Sequence, residues 1–319
     1  MTVGVPLDIL LAIVVVATGL WTLVAPTLFG AVVGFVVTGL MLALVWVRLG
    51  AVDVALTEAA IGAGATGVII LYVVTRLRGG KAEISAATPS RVQRALAVVL
   101  AGSIGVALAY AVLMLPTPAP GLAVQALEGA AALGLGNPVS AVLMAQRGLD
   151  TLLESVVLVF AVLAVWSMAA DHRWGGAPGP AFPPERAGPL SLLARVLPPV
   201  GIVIGIYVAW VGTDAPGGKF QGGTILAAMW VLPWIAGLVQ PPSVSSFALR
   251  LMLVIGPLTF LGVGLAGFVM ADGFLSYPPG FAKPLILWIE TAMTLSVAAA
   301  LACLIAGPPE RRRRLAQPA

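Results

Sequence analysis

The sequence predicts an all-α integral membrane protein with about nine transmembrane helices. Of its 319 residues, 60% are hydrophobic and only 9% are charged, and the mean hydropathy is +1.06. Soluble domains carry about 25% charged residues, so this composition excludes an ordinary soluble fold. Apolar runs near the ~20 residues that a bilayer requires recur along the whole chain. We expect these runs to be helices, because an open strand in lipid would leave its backbone groups without hydrogen bonds.

The apolar runs define the expected order of the helices. Nine spans are predicted, at 5–25, 28–48, 54–75, 95–115, 150–170, 191–212, 222–239, 249–270 and 284–306. We expect the first run to be retained as a span, because it carries Asp8, lacks a basic leading segment and is too long for a signal peptide. The stretch 137–149 predicts a further short helix that lies at the membrane interface or re-enters the membrane.

Basic residues cluster in alternate loops and predict the orientation of the spans. The clusters follow the third, fifth and ninth spans and contain Arg76, Arg78, Lys81, Arg91, Arg94, Arg173, Arg186, Arg195 and Arg311 to Arg314. The intervening segments 116–136, 213–221 and 271–283 contain only Lys219 and Lys283 as basic residues. The positive-inside rule then places the N-terminus outside and the C-terminus in the cytoplasm, with the plasma (inner) membrane as the location. It also explains the net charge of +4 without nucleic acid as a partner.

Cysteine and histidine are too scarce to build a metal centre. Cys303 is the single cysteine and lies in the last apolar run, whereas His172 is the single histidine and lies in a loop. A structural zinc site needs about four ligands of these types close together. We therefore expect no disulfide, no metal site and no cofactor.

Ionisable side chains at the ends of or within the apolar runs are the candidate functional residues. A charge at the bilayer centre costs about 2.5–3.5 kcal/mol on insertion scales and usually marks a transport path. Asp53 either caps the helix of the third span or belongs to such a path. Glu58 lies more than a turn deeper, beside glycines at 62, 64 and 67 that leave room for close helix packing or a local bulge. We expect Glu58 to handle protons.

A second charged group opens the fifth span. If this stretch is helical, spacings of three, four and seven residues place Arg147, Asp150 and Glu154 on one stripe. Arg147 and Asp150 can pair at i,i+3, and the pair either fixes the helix at the interface or supports the path. Glu154 is the deepest of the three and is the second expected site of proton exchange.

The third charged group is a lysine in a glycine-rich segment. Glycine and proline between Gly212 and Gly223 predict a turn or a broken helix around Lys219. Lys219 is either solvated or paired with a carboxylate of this or a neighbouring subunit. A nucleotide site is excluded, because the Gly-Lys-Ser/Thr ending of a phosphate-binding loop is absent.

Glu290 is the fourth candidate and lies about two turns into the last span. Lys283, two turns before it, is the one basic residue near it in sequence. We expect Glu290 to act in the same path, with Lys219 and Lys283 as charge partners.

Together these motifs resemble the membrane subunits of Mrp-type multisubunit Na+/H+ antiporters and of the related membrane-bound hydrogenases. Asp-Val-Ala-Leu-Thr-Glu at 53–58 resembles a short domain that, in those systems, ends the large A subunit or forms a small subunit of its own. Asn-Pro-Val-Ser-Ala at 137–141, followed by 147–154, is similar to the segment after it. Ala-Pro-Gly-Gly-Lys-Phe-Gln-Gly-Gly at 215–223 resembles a signature of the antiporter B subunit, and Glu290 matches an acidic position in its last helix.

The resemblance implies two fused membrane modules. The first, 1–170, resembles the D and E subunits of membrane-bound hydrogenases and has about five helices. A linker at 171–189 precedes a B-subunit-like module at 190–308 with about four helices, and 309–319 forms a basic cytoplasmic tail. The chain departs from the B-subunit pattern at Thr213-Asp214, where histidine is common, at Lys219, where a third glycine is usual, and at Glu290, where aspartate is usual.

The function that follows is a transport subunit and not an enzyme. It would contribute carboxylates to a proton path, with Na+ as a second candidate ion, among partner membrane subunits of an antiporter-like complex. Two alternatives stay open: a proton- or sodium-translocating subunit of a redox-driven complex, and a structural scaffold whose charges hold helices together. Intramembrane polar contacts average about 0.6 kcal/mol, which a scaffold could also use.

Overall fold

The computed structural model describes residues 4–79, 90–116, 118, 121–179 and 188–310, which form a bundle of long helices. The helices are α1 (Gly4–Val24), α2 (Leu28–Arg48), α3 (Val52–Thr57), α4 (Thr66–Gly79), α5 (Arg91–Leu113), α6 (Ala123–Ala132), α7 (Pro138–Ala141), α8 (Gly148–Ser167), α9 (Pro189–Val211), α10 (Lys219–Ile235), α11 (Phe247–Met270) and α12 (Ala282–Ala306). Two π-helical segments, Glu58–Ala65 and Val142–Gln146, continue α3 and α7. Short antiparallel strands β1 (Ala177–Pro178) and β2 (Pro309–Glu310) pair after α8 and α12.

Eight helices in the described ranges are long and apolar enough to cross a membrane. They are Val5–Val24, Leu28–Arg48, Val52–Thr75, Arg91–Leu113, Gly148–Ser167, Pro189–Val211, Phe247–Met270 and Ala282–Ala306. The predicted span at 222–239 corresponds to α10, which has 17 residues and contains Pro233. The count of nine and the orientation therefore stay predictions. Lys81, Arg186 and the tail arginines of the orientation argument lie outside the described residues.

Helix α12 is the centre of the bundle. Most of its residues are buried against α8, α10 and α11. Its alanine, serine and threonine side chains permit close approach, and Ser296 accepts a hydrogen bond from the backbone N–H of Gly256 on α11 at 3.1 Å. Helices α1 and α5 are the opposite case. Neither has a buried residue in its most apolar stretch, and their apolar side chains face outward.

Candidate functional site

A cavity of about 320 Å³ lies where segments distant in the sequence meet. Its lining includes Asp53, Thr57, Asn137, Ser140, Glu154, Gly217, Gly218, Lys219, Phe220, Gln221 and Glu290. These residues come from α3, from α7 and the residue before it, from α8, from the start of α10 and the turn before it, and from α12. The cavity thus brings together four of the charged residues that the sequence nominates.

Lys219 and Glu290 form a buried ion pair in this cavity. The Lys219 Nζ lies 3.8 Å from Glu290 Oε1, and each side chain is only 3% exposed. Ser140 Oγ donates to the same Glu290 oxygen at 3.3 Å, and Lys219 Nζ donates to Met144 Sδ at 3.1 Å. Glu290 Oε2 is buried and has no hydrogen-bond partner among the described residues. Because desolvation can exceed the Coulombic gain of a buried pair, stability alone does not account for it.

The turn before α10 directs Lys219 inward. Helix α9 ends at Val211, and Gly217 and Gly218 have φ angles of 154° and 126°, which side-chain-bearing residues rarely adopt. The expected irregular segment is thus confirmed up to Gly218 but is wrong from Lys219 onward, where a regular helix begins. The later glycines serve packing, since a Cβ at Gly223 would overlap Val297 of α12.

Asp53 ties α3 to the same turn. Its Oδ1 accepts hydrogen bonds from the Gly217 backbone N–H at 3.0 Å and from Asn137 Nδ2 at 3.3 Å. Gln221 Nε2 donates to Thr57 Oγ1 at 2.9 Å. The interpretation of Asp53 as a helix cap is wrong, because Ala51 is the capping residue and the Asp53 carboxylate bonds to other segments.

The three charges at the start of α8 separate into two environments. Arg147 and Asp150 pair at 2.6 Å as expected, but their side chains are 72% and 55% exposed and do not line the cavity. Glu154 is partly exposed, lines the cavity and is close enough to Lys219 for their charges to interact. The geometry of Arg147 and Asp150 thus corresponds to an exposed, helix-positioning pair.

Glu58 occupies a separate niche between α2 and its own helix. It begins the π-helical segment, so the local bulge expected from the glycines is confirmed. Its carboxylate lies against Gly62 and against Gly39 of α2, where an added Cβ would meet Glu58 Oε1 at 3.1 Å. No described residue gives this carboxylate a hydrogen bond or an ion pair.

Lys283 does not pair with Glu290, contrary to the proximity argument. Its Nζ donates to Asp214 Oδ1 at 2.5 Å, in a partly exposed pair beside the turn that precedes α10. This hydrogen bond holds the pKa of Asp214 below its ordinary value of 3.8. Proximity in the sequence gave the wrong partner for Lys283, because Asp214 and Lys283 come together only when α9 and α12 pack.

Sequence reasoning missed neutral polar residues that build the site. Asn137 Nδ2 also donates to the backbone oxygens of Gly212 and Ala215, at 3.0 and 3.1 Å. Tyr277 donates to the Met144 backbone oxygen at 2.7 Å, and burial, followed by the charge of Glu290, raises the pKa of its phenol. Asn137 precedes Pro138 and caps α7 through a hydrogen bond from the Val139 N–H, which is a signal that the sequence did offer.

Two family models match separate parts of the chain. Residues 13–79 match MbhD, the D subunit of MBH. Residues 189–308 match a domain related to the MnhB subunit of the Na+/H+ antiporter. The two matched ranges include Asp53 and Glu58 in the first and Lys219 and Glu290 in the second.

Solved structures and a curated relative show the same likeness. The chain is similar to the structure of the Mrp complex from Dietzia sp. DQ12-45-1b, with a TM-score of 0.74, 26% identity and coverage of 97% of this chain and 35% of that chain. The fold also resembles an archaeal respiratory complex, the membrane-bound sulfane sulfur reductase, with a TM-score of 0.57, 24% identity and coverage of 67% and 97%. An uncharacterized protein of Methanocaldococcus jannaschii is 28% identical over 44% of this chain and 59% of its own length.

The chain spans about a third of the Mrp chain and somewhat more than half of the curated relative. It is a multi-pass membrane protein whose long apolar helices correspond to those of Mrp membrane subunits. With an MbhD-type segment before an MnhB-related domain, the chain fits an Mrp-type fusion.

Proposed function

We propose that this chain is a membrane subunit of a multisubunit monovalent cation/proton antiporter-like complex, and that its cavity carries protons for that complex. The observation that supports this most strongly is the buried Lys219–Glu290 pair, in which one carboxylate oxygen has no partner among the described residues. A pair of this kind at membrane depth suits transport better than chemistry on a substrate. The complex would lie in the plasma membrane, with other membrane subunits as partners.

The cavity arrangement supports proton transfer between coupled charges. Protonation of Glu290 would remove the negative charge beside Lys219, and the ammonium would then interact more with Glu154. Each protonation event therefore changes the proton affinity of the next group, as expected for interacting sites. Glu154, which is partly exposed, is the candidate entrance, and Asp53 holds the Gly217 turn in place.

Glu58 is proposed as a second proton-handling carboxylate. It lies outside the cavity, in an apolar niche formed by glycines of α2 and the π-helical segment. No described residue forms an ion pair with this carboxylate, which lies beside α2 at the start of the π-helical segment. We assign Arg147 and Asp150 no part in the proposed path, because they form an exposed pair that does not line the cavity.

A redox-driven complex is the alternative assembly. The match of residues 13–79 to the D subunit of MBH favours this alternative. The matched segment would then belong to a complex in which other subunits carry out the redox chemistry. Identification of the proteins that co-purify with the tagged chain in mild detergent separates the two assemblies. Antiporter-like subunits alone support the first, whereas iron–sulfur or flavin subunits support the alternative.

The proton path is tested by Glu290→Gln in the assembled complex. Proton flux into inverted membrane vesicles is followed with a pH-sensitive dye, and Na+ or K+ is added to exchange for protons. We expect Glu290→Gln to slow cation-dependent flux by about tenfold or more, because glutamine cannot exchange a proton. Glu128→Gln is the matched control, since Glu128 is exposed on α6 and does not line the cavity.

Assembly must be measured on the same membranes. If Glu290→Gln prevents assembly, Glu154→Gln gives the second test, because Glu154 is partly exposed and has no hydrogen bond to other described residues to lose. Normal flux in both assembled variants would refute the proposed path. Loss of assembly in Glu290→Gln combined with normal flux in Glu154→Gln would support the scaffold function instead.

A further inference from the structure

We infer that the Lys219 ammonium is a built-in cation that occupies the cation position of the cavity, so that the cavity accepts protons and excludes Na+ and K+. This inference deepens the proposed function, because it assigns the ion class that the cavity serves. It depends on where the ammonium lies, which groups surround it and which oxygen is left free.

The ammonium fills the place beside the carboxylates. Lys219 Nζ lies 3.8 Å from Glu290 Oε1, and Glu154 is near enough for its charge to interact with the ammonium. The Lys219 side chain is 3% exposed, so bulk water has little access to its amino group, and Glu290 and Glu154 are the charges that act on it. A free monovalent cation attracted by the same two carboxylates would meet the ammonium at short range and be repelled.

The other neighbours of the ammonium do not suit an alkali metal ion. Lys219 Nζ donates to the sulfur of Met144 at 3.1 Å and lies 5.4 Å from the centroid of the Phe220 ring. Hard cations bind oxygen ligands, whereas an ammonium group can also donate to a thioether sulfur and lie against an aromatic face. The lining on this side of the cavity therefore favours the tethered cation over a free one.

A proton can enter without displacing Lys219. Glu290 Oε1 faces Lys219 and Ser140, but Oε2 is buried without a hydrogen-bond partner among the residues described. A proton that binds Oε2 leaves the ammonium in its place, whereas a metal ion drawn to Glu290 would compete with the ammonium for the same carboxylate. The two ions therefore differ in whether they must compete with Lys219 for Glu290.

The test measures cation protection of the buried carboxyls in the purified, assembled complex. Dicyclohexylcarbodiimide reacts with protonated carboxyl groups in apolar surroundings, and mass spectrometry gives the labelling rate at Glu290 and Glu154. In the native chain we expect equal rates in NaCl, KCl and choline chloride of the same ionic strength. In Lys219→Gln we expect Na+ or K+ to slow labelling of Glu290 by about threefold or more, because occupancy removes the reactive form.

Lys219→Arg is the matched control, because it keeps a cation at the same place and must remain insensitive to Na+ and K+. Lys219→Met serves as the second neutral variant if Lys219→Gln does not assemble. Slower labelling of the native chain in NaCl or KCl, or equal rates in all salts for the neutral variant that assembles, would overturn the inference. Labelling needs no ion transport, so failure of this inference and failure of the flux experiment are distinguishable.

Discussion

Single residues in this chain pair across distances that sequence proximity does not suggest. Lys219 meets Glu290 inside the bundle, and Lys283 meets Asp214 at its edge. Burial makes the first pair sensitive to loss of either partner, because an uncompensated charge would remain in the interior. Water and salt screen the second pair, so its contribution to stability is about 0–1 kcal/mol.

The edge pair predicts a small pH-dependent contribution to stability. Hydrogen bonding to Lys283 lowers the pKa of Asp214 in the folded state. Its contribution is complete above the unfolded-state pKa and is lost as pH falls through the lower folded-state pKa. Asp214→Asn should therefore lower the melting temperature slightly at pH 7, and this difference should shrink as the pH falls below 3.8, the ordinary value for aspartate.

The measurement is thermal unfolding of the detergent-solubilised protein across that pH range. Asp272→Asn is the control, because Asp272 is exposed in the loop after α11 and has no ion-pair partner among the described residues. A penalty of equal size at all pH values in Asp214→Asn would contradict the assignment of the lowered pKa to the Lys283 contact.

At the level of helices, the π-helical segment Glu58–Ala65 determines where Glu58 lies. A π turn contains an extra residue relative to an α turn, and such bulges are frequent at functional sites. Gly62 within the segment and Gly39 on α2 leave a recess that the carboxylate fills. The small residues therefore provide space for the charged side chain as well as close helix packing.

Gly62→Ala should displace Glu58, because the new Cβ would overlap its carboxylate. We expect the cation-dependent proton flux of the assembled complex to fall by about tenfold, as small displacements of a reacting group can cause. Gly102→Ala on α5 is the matched control, since nothing lies within 4 Å of the position of its Cβ. Unchanged flux in assembled Gly62→Ala would show that the position of Glu58 does not matter for transport.

At the scale of the molecule, Asn137 connects the N-terminal helices to the MnhB-related domain through hydrogen bonds. Its amide donates to the Asp53 carboxylate on one side and to the Gly212 and Ala215 backbone oxygens on the other. The backbone N–H groups of Gly136 and Asn137 also donate to the Thr213 oxygen at 3.0 Å. One short segment thus holds the turn before α10 against α3.

Asn137→Ala should loosen this junction. The variant removes the amide donor and the α7 cap, and we expect a loss of about 1–3 kcal/mol, because buried backbone oxygens lose their partner. Melting temperature measures the loss, and hydrogen exchange of the 212–218 amides should become faster. Ser103→Ala is the control, since Ser103 Oγ donates only to Val99 within the exposed helix α5. Equal exchange in Asn137→Ala and the native chain would refute the junction.

The sequence predicted the helices well because a bilayer imposes a fixed length on apolar runs. It also pointed to Glu154, Lys219 and Glu290, because charges in such runs are costly unless they serve a purpose. It could not predict which charges meet, as Lys283 shows, since pairing depends on how α9, α10 and α12 pack. The hydrogen-bond partners of Asp53 could not be predicted for the same reason, because they are far away along the chain.

The central position of α12 has a consequence for biosynthesis. Helices leave the ribosome in chain order, so Glu154 and Lys219 enter the translocon before Glu290, which α12, the last described helix, carries. Until then the nascent bundle holds an ammonium without its main counter-charge and a groove that α12 will fill. A truncated product would keep this defect and expose it to membrane proteases, because loosely held states are continually degraded. The packing of α12 therefore supplies, in a single step, the counter-charge of Lys219 and the helix that fills the groove.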